Sequence, residues 1–352
     1  MININIEEIL TKAAAMGASD VHLTVGLPPK VRVNGNLVSM QYPELTAEDT
    51  MKAASHVMNR NQLERLQTQG EYDLAYAIPG QGRYRVNAFM QRGAAALAFR
   101  LVAAQVPSPE TLGVPASIID LYQRKRGLVL VTGPTGSGKS TTLAAIIDKV
   151  NQHRDAHIIT LEDPIEYNHP HKMSMVNQRE IGIDTKSYAN ALRAALREDP
   201  DVILVGEMRD YETISVAVTA AETGHLVLST LHTIGAASTV DRVIDVFPPH
   251  QQQQIRVQLA NVLEAIISQQ LIPRVDGGGR VAAFEVLHAN TAIRNLIREG
   301  KSHQIANIMQ TSRRLGMITM DDAIVQLVRD GKISRQMAVA FAQDPDSIEN
   351  KF

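Results

Sequence analysis

The 352-residue chain has no cysteine and no tryptophan, and aromatic residues make up only 4% of it. Without cysteine there is no disulfide and no thiolate metal site, which fits a reducing compartment. So few aromatic rings argue against a surface that stacks the bases of single-stranded nucleic acid. An excess of one charge is also lacking: 35 Lys and Arg stand against 37 Asp and Glu, a net of −2. Proteins that follow a phosphate backbone over many contacts usually carry a basic surplus, so stable nucleic-acid binding is not expected. Long apolar runs are missing as well. None approaches the roughly 18 residues of a membrane-spanning helix. The stretch MININIEEILTKAAAMG places Glu7 and Glu8 where a secretory signal would be apolar. The expectation is a cytosolic protein.

What is present is an ordinary globular composition, 44% apolar and 20% charged, long enough for two cores. Ile6, Ile9, Leu10 and Ala13 share one face of a short helix over 6–16. VHLTVG and KVRVNGNLV read as strands, the second folded back at Asn34-Gly35. A helix is predicted from about Thr46 to Gln69, then strands RYRVNAFM and AALAFRLV around a turn at 91–93. This mixture predicts a small α+β domain over 1–102. Three prolines and a glycine in AAQVPSPETLGVP mark 103–115 as a linker to a second domain over 116–352.

In that second domain GLVLVT, HIITLE, VILVGE and LVLSTLH alternate with helical stretches, the pattern of a parallel sheet buried on both faces. The runs end in a Gly-rich loop, Glu162-Asp163, Glu207 and His232. Open α/β sheets bind ligands at the carboxyl ends of their strands, so four polar ends point at one crevice. From about Gln251 the chain reads as mostly helical, with Ile255, Leu259, Val262 and Ile266 as one stripe and a glycine turn at 277–279. Thr319 and Ser334 are expected N-caps, and Gly331 and Gly300 expected C-caps.

The strongest motif is GPTGSGKS at 133–140, which matches G-x-x-x-x-G-K-[ST] in full, follows a strand and opens a helix. The loop Gly133, Pro134, Thr135, Gly136, Ser137 and Gly138 would close around phosphate oxygens, its backbone N–H groups (all but Pro134's) donating to them, aided by the helix N-terminus. Lys139 is expected on the β- and γ-phosphates, with Ser140 on Mg²⁺ and Thr141 beside it. A carboxylate near the γ-phosphate orients or deprotonates water, and another holds the metal. Glu207 is the favoured water-activating group, with Glu162 and Asp163 beside it at metal and nucleophile; the reverse assignment of Glu207 and Glu162 stays open.

His225 and His232 bracket TGHLVLSTLHT, where a strand-end histidine senses a phosphate or serves a structural hydrogen bond. His153 with His157 and His169 with His171 mimic metal spacings but lack a third ligand. Arg83 and Arg85 share one strand face and Arg100 lies on the partner strand, a set suited to compensating phosphoryl charge in a neighbouring subunit. Near the end, TAIRNLIREGK forms a helix on which Ile293, Leu296 and Ile297 pack inward, leaving Arg294, Asn295, Arg298 and Glu299 available.

Together these motifs resemble a known superfamily. GPTGSGKST, ITLEDPIEY, LREDPDVILVGEMRD and TGHLVLSTLHT are similar to the Walker A, Asp-box, Walker B and His-box segments of secretion-type hexameric ATPases. ASDVHLTVGLPPKVRVNG resembles the start of their PAS-like domain, and AIRNLIRE at 292–299 the signature of the type IV pilus retraction ATPases. The resemblance implies a PAS-like α+β domain followed by a RecA-like P-loop domain of α/β class with a helical C-terminal part from about 290. It further implies a homohexamer with ATP at subunit interfaces, Mg²⁺-dependent hydrolysis, and arginines at Arg83, Arg85 and Arg100 acting from the N-terminal side. The expected role is pilus retraction and twitching motility, through a platform protein of the inner membrane and an accessory pilus ATPase. STLHTIGAAS departs from the pattern, with Ser229 where Gly and Ile234 where Asn are expected. A nucleic-acid translocase and a nucleotide-gated scaffold are the competing expectations.

Overall fold

The computed structural model describes residues 5–33, 35–78, 82–102 and 106–352; Asn34 of the expected hairpin turn and residues 103–105 of the expected linker lie outside them. The chain divides into two compact units, Met1–Gln105 with Glu166–Asn168, and Val106–Ile165 with His169–Phe352.

In the first unit α1 (Ile6–Ala15), α2 (Ala47–Val57) and α3 (Arg60–Gln69) accompany six strands. These are β1 (Asp20–Leu23), β2 (Lys30–Val33), β3 (Asn36–Ser39), β4 (Glu71–Ile78), β5 (Gly82–Gln91) and β6 (Ala94–Val102). They form one antiparallel sheet in the order β3-β2-β1-β6-β5-β4. Ile9, Leu10, Ala54, Leu66, Val86 and Phe99 fill its core. The single helix predicted over 46–69 is two. Met58 is extended, and Asn59 starts a second helix by accepting from Gln62 N while Gln62 Oε1 accepts from Asn59 N. That reciprocal cap outcompetes continuation of the first helix.

The second unit begins with α4 (Pro109–Leu112) and α5 (Ala116–Ile119). Val106, Leu112 and Val114 pack into its core, so residues 106–115 of the expected linker belong to this unit. Next come β7 (Gly127–Thr132), α6 (Lys139–His153), β8 (His157–Glu162), β9 (Met175–Glu180), α7 (Tyr188–Ala195) and β10 (Val202–Val205). Then follow α8 (Tyr211–Glu222), β11 (Leu226–Leu231), α9 (Ala236–Asp245), α10 (Gln252–Val262), β12 (Leu263–Pro273) and β13 (Arg280–His288). The chain closes with α11 (Thr291–Arg298), α12 (Ile305–Thr311), α13 (Met320–Arg329), α14 (Arg335–Phe341) and α15 (Pro345–Glu349).

Seven strands lie in the order β13-β12-β7-β11-β10-β8-β9, parallel except for the β12–β13 pair. Leu128, Leu130, Ile203 and Val227 face one helical layer, while Val129, Val131, Leu204 and Leu228 face the other. Burial on both faces explains why these strands are uninterrupted apolar runs. Between Leu263 and His288 the mostly helical expectation fails, and from α11 onward it holds. Leu263 turns extended, Ile266 enters β12, and a hairpin surrounds the glycine turn at 277–279. Spacings of three and four also occur in a strand buried on both faces, so periodicity alone did not separate the two. Thr319 and Ser334 do cap α13 and α14, and Gly300 and Gly331 take left-handed angles just past α11 and α13.

Candidate active site

The strand order sets the site. β7, β11, β10 and β8 are consecutive neighbours and parallel, so the loop at 133–138, His232, Glu207 and Glu162 follow one another along a single edge. β7 leads into the loop and α6 leaves it at Lys139. Lys139 is buried, and its Nζ donates to the carbonyls of Gly133 (2.9 Å) and Pro134 (3.1 Å). Gly133, at φ +141°, has no room for a side chain: a Cβ would sit 2.2 Å from the Gln269 carbonyl oxygen. Pro134, Thr135 and Gly136 are exposed, Ser137 is buried, and Gly138, Ser140 and Thr141 are half-buried.

Gln269, on β12, is a brace that the sequence analysis missed. Its Nε2 donates to Ser137 O (2.7 Å) and its Oε1 accepts from Thr142 Oγ1 (2.7 Å). One buried amide thereby ties the loop to the first turn of α6. The available signal was the polar SQQ at 268–270 inside an apolar run, because buried amides need partners.

At the acidic end, Glu162 Oε1 accepts from Thr160 Oγ1 (2.6 Å) and Gln178 Nε2 (3.1 Å). Glu207 Oε1 meets Arg209 Nε at 2.6 Å and His232 Nε2 at 2.9 Å. Burial pushes the Glu207 carboxyl up, but Arg209 and His232 outweigh it, and the net shift is downward. Asp163, Tyr188, Glu207 and Arg209 line a cleft of about 380 Å³. Burial, reinforced by Asp163, Glu207 and Glu162, raises Tyr188 above the ordinary phenol range, so it stays protonated. Tyr188 was also missed; it begins a helix and carries no motif.

Other predicted residues lie elsewhere. His225 precedes β11 at the opposite edge of the sheet, where its Nδ1 lies 2.9 Å from Ala220 O and its carbonyl accepts from Gly127 N. In the first unit Arg85 and Arg100 are cross-strand partners, Arg83 lies two residues along the same face, and Arg100 Nε pairs with Asp20 Oδ1 at 2.9 Å. Of the four residues expected to be available on and just after α11, Asn295 and Glu299 are exposed, while Arg294 and Arg298 are half-buried and bonded within the chain. Arg294 donates to the carbonyls of Ala260 (2.6 Å), Asn261 (2.8 Å) and Ala289 (3.2 Å), and to Glu264 (3.1 Å). Arg298 bridges the side chains of Asn295 and Asn261, and Glu299 pairs with Lys301. The carbonyls at the end of α10 lack helical partners, which is what draws Arg294 inward.

Comparison with known proteins supports the same identification. The family profile for "Type II/IV secretion system protein" matches residues 1–320. The chain is 48% identical over 344 residues to the type IV pilus retraction ATPase PilT of Pseudomonas aeruginosa, covering 98% of this chain and 100% of that protein. It is 50% identical over 320 residues to a twitching motility protein of Neisseria gonorrhoeae, covering 91% and 86%. A crystal structure of the pilus retraction motor PilT with bound ADP superposes at a TM-score of 0.93 and 51% identity, covering 99% and 100%. By full-length identity and by this arrangement of strand ends, the chain belongs to the Type II/IV secretion system protein family.

Proposed function

We propose that the chain is the ATPase motor of type IV pilus retraction, which powers twitching motility by withdrawing pilin subunits. The observation that carries this is the row of strand ends, in which phosphate loop, His232, Glu207 and Glu162 share one edge. Lys139 and the loop amides bind the triphosphate, and the first turn of α6 faces its charge. Ser140, Glu162 and Glu207 offer oxygen donors only, as Mg²⁺ prefers, and Mg²⁺ bound there would neutralise charge on the β- and γ-phosphates. Held ionised by Arg209 and His232, Glu207 accepts a proton from the attacking water while His232 follows the charge on Glu207. Exchange of roles with Glu162 is decided by the variants below.

The assembly we infer is a homohexamer of a PAS-like and a RecA-like domain, with Arg83, Arg85 and Arg100 completing a neighbour's site. Its place is the cytoplasmic side of the inner membrane, on the platform protein of the pilus and alongside an accessory pilus ATPase. Among the described residues no helix is long and apolar enough to cross a membrane.

The test is turnover by the purified full chain. Lys139→Ala is expected to lose hydrolysis by about 10²-fold or more. Glu207→Gln is expected to bind ATP with near-normal affinity and stall; normal turnover would move the proton-accepting role to Glu162. In cells lacking the retraction motor, the wild-type chain should restore twitching and Glu207→Gln should not.

A further inference from the structure

Glu285, on β13, is buried, and its two carboxylate oxygens are divided between two parts of the second unit. Oε1 accepts from Ala236 N at 2.6 Å, the first residue of α9 and four residues past His232. Oε2 accepts from Met320 N at 3.0 Å, the first residue of α13, and from Gln343 Nε2 at 3.4 Å, just beyond α14. The pairing is reinforced on both sides. Ser268 is the cross-strand partner of Glu285, and its Oγ accepts from Gly235 N at 3.0 Å. Ile318, immediately before α13, exchanges backbone hydrogen bonds with Val286. Gly235, at φ +91°, lies so near that an added Cβ would meet Gln343 Nε2 at 3.1 Å and Glu285 Oε1 at 3.7 Å.

Two helix N-termini of ten residues each therefore share one carboxylate, and a carboxylate is planar and short. A displacement of one N-terminus either moves the other or breaks a hydrogen bond in a buried site, where no water replaces it. We propose that Glu285 is a positioning residue: it fixes the turn that carries His232 and transmits that turn's displacement to α13 and α14. The proposal rests on the reading of His232 and Glu207 as part of the reaction centre. It adds an output path, from the strand edge through β13 to the C-terminal helices. Glu285 touches neither nucleotide nor metal in this scheme.

Replacement by glutamine keeps the shape but sets an amide N–H₂ against one of the two backbone donors. The experiment uses the full chain with Mg²⁺ and a non-hydrolysable ATP analogue. Hydrogen exchange is followed at 133–141, 233–240 and 319–343 with and without nucleotide, beside steady-state kinetics. In the wild type the analogue should slow exchange in all three segments. Glu285→Gln should keep the response at 133–141 and lose the nucleotide-dependent part at 319–343. Its kcat should fall about ten- to a hundredfold with KM for ATP within about twofold. A residue that only supported the fold would raise exchange equally in both states and leave the response intact; that result overturns the proposal, as does a wild-type kcat. Ser268→Ala, which removes only the hydroxyl under Gly235, provides the same measurement if Glu285→Gln does not fold, and an unchanged kcat and response there also overturns it. His232→Ala separates the two readings. If it turns over normally, the reaction-centre reading fails and takes the proposal with it; if it is slow while Glu285→Gln behaves as wild type, the proposal alone fails.

Discussion

Glu207 sits between an exposed guanidinium and an imidazole, and it remains half-buried by its own strand end. Its carboxyl lies below the ordinary glutamate range because those partners outweigh the cost of burial. A depressed folded value means stability that is present above the unfolded pKa, about 4.3, and lost as pH falls through the folded value. In urea titrations of the nucleotide-free chain, the midpoint difference between wild type and Glu207→Gln should be largest above about pH 5 and close below it. Parallel curves across that range would show that Arg209 and His232 do not hold the charge. At this scale the position of Glu162 and Glu207 at strand ends was legible, because each closes an apolar run. Gln269 was not, because its partners lie up to 132 positions away and no local pattern encodes them.

The helix at Thr291–Arg298 shows how an element can mislead when it is read alone. Ile293 and Ile297 are buried as their spacing predicts, so the inward face was correct. The outward face was misjudged for Arg294, which reaches back over α10 instead of into solvent. Charge-assisted hydrogen bonds of this kind contribute about 1.5–3 kcal/mol each, less where water competes. Arg294→Ala should therefore lower the unfolding free energy by about 2 kcal/mol, and Arg298→Ala by about 0.5 kcal/mol or less, measured by denaturant titration. Lysine at position 294 should recover only part of the loss, since a point charge cannot span three carbonyls and Glu264. Equal stability of the two alanine variants would contradict this. A retraction defect in Arg294→Ala thus has a packing cause to be separated from any loss of partner contact, whereas Arg298 on the rim is the cleaner probe.

For the whole molecule the decisive claim is that a catalytic arginine comes from another copy. Lys139→Ala and Arg85→Ala chains should each be nearly inactive, the latter because an arginine in trans raises turnover by roughly 10³–10⁵. Mixed and allowed to co-assemble, they should regain a measurable fraction of activity, since some interfaces then pair an intact phosphate loop with an intact arginine. If mixing restores nothing while native mass measurement shows mixed assemblies, Arg85 does not act between subunits. Arg83 and Arg100 would be examined the same way, with Asp20 already paired to Arg100.

The sequence by itself determined the local units: a phosphate loop closed by contiguous residues, apolar strands ending in Glu162, Glu207 and His232, and helix caps at Thr319 and Ser334. Such features depend on neighbours within a turn or a few residues, so spacing and residue type suffice. Only the tertiary structure decided which strand ends are adjacent. It also made a β-hairpin of residues 263–288, where both faces are buried and apolar spacing is ambiguous. It drew Gln269 under the phosphate loop, Glu285 between two helix starts and Arg294 onto the end of α10. Each of these is a polar group whose partner is far away in sequence, and burial obliges it to find one.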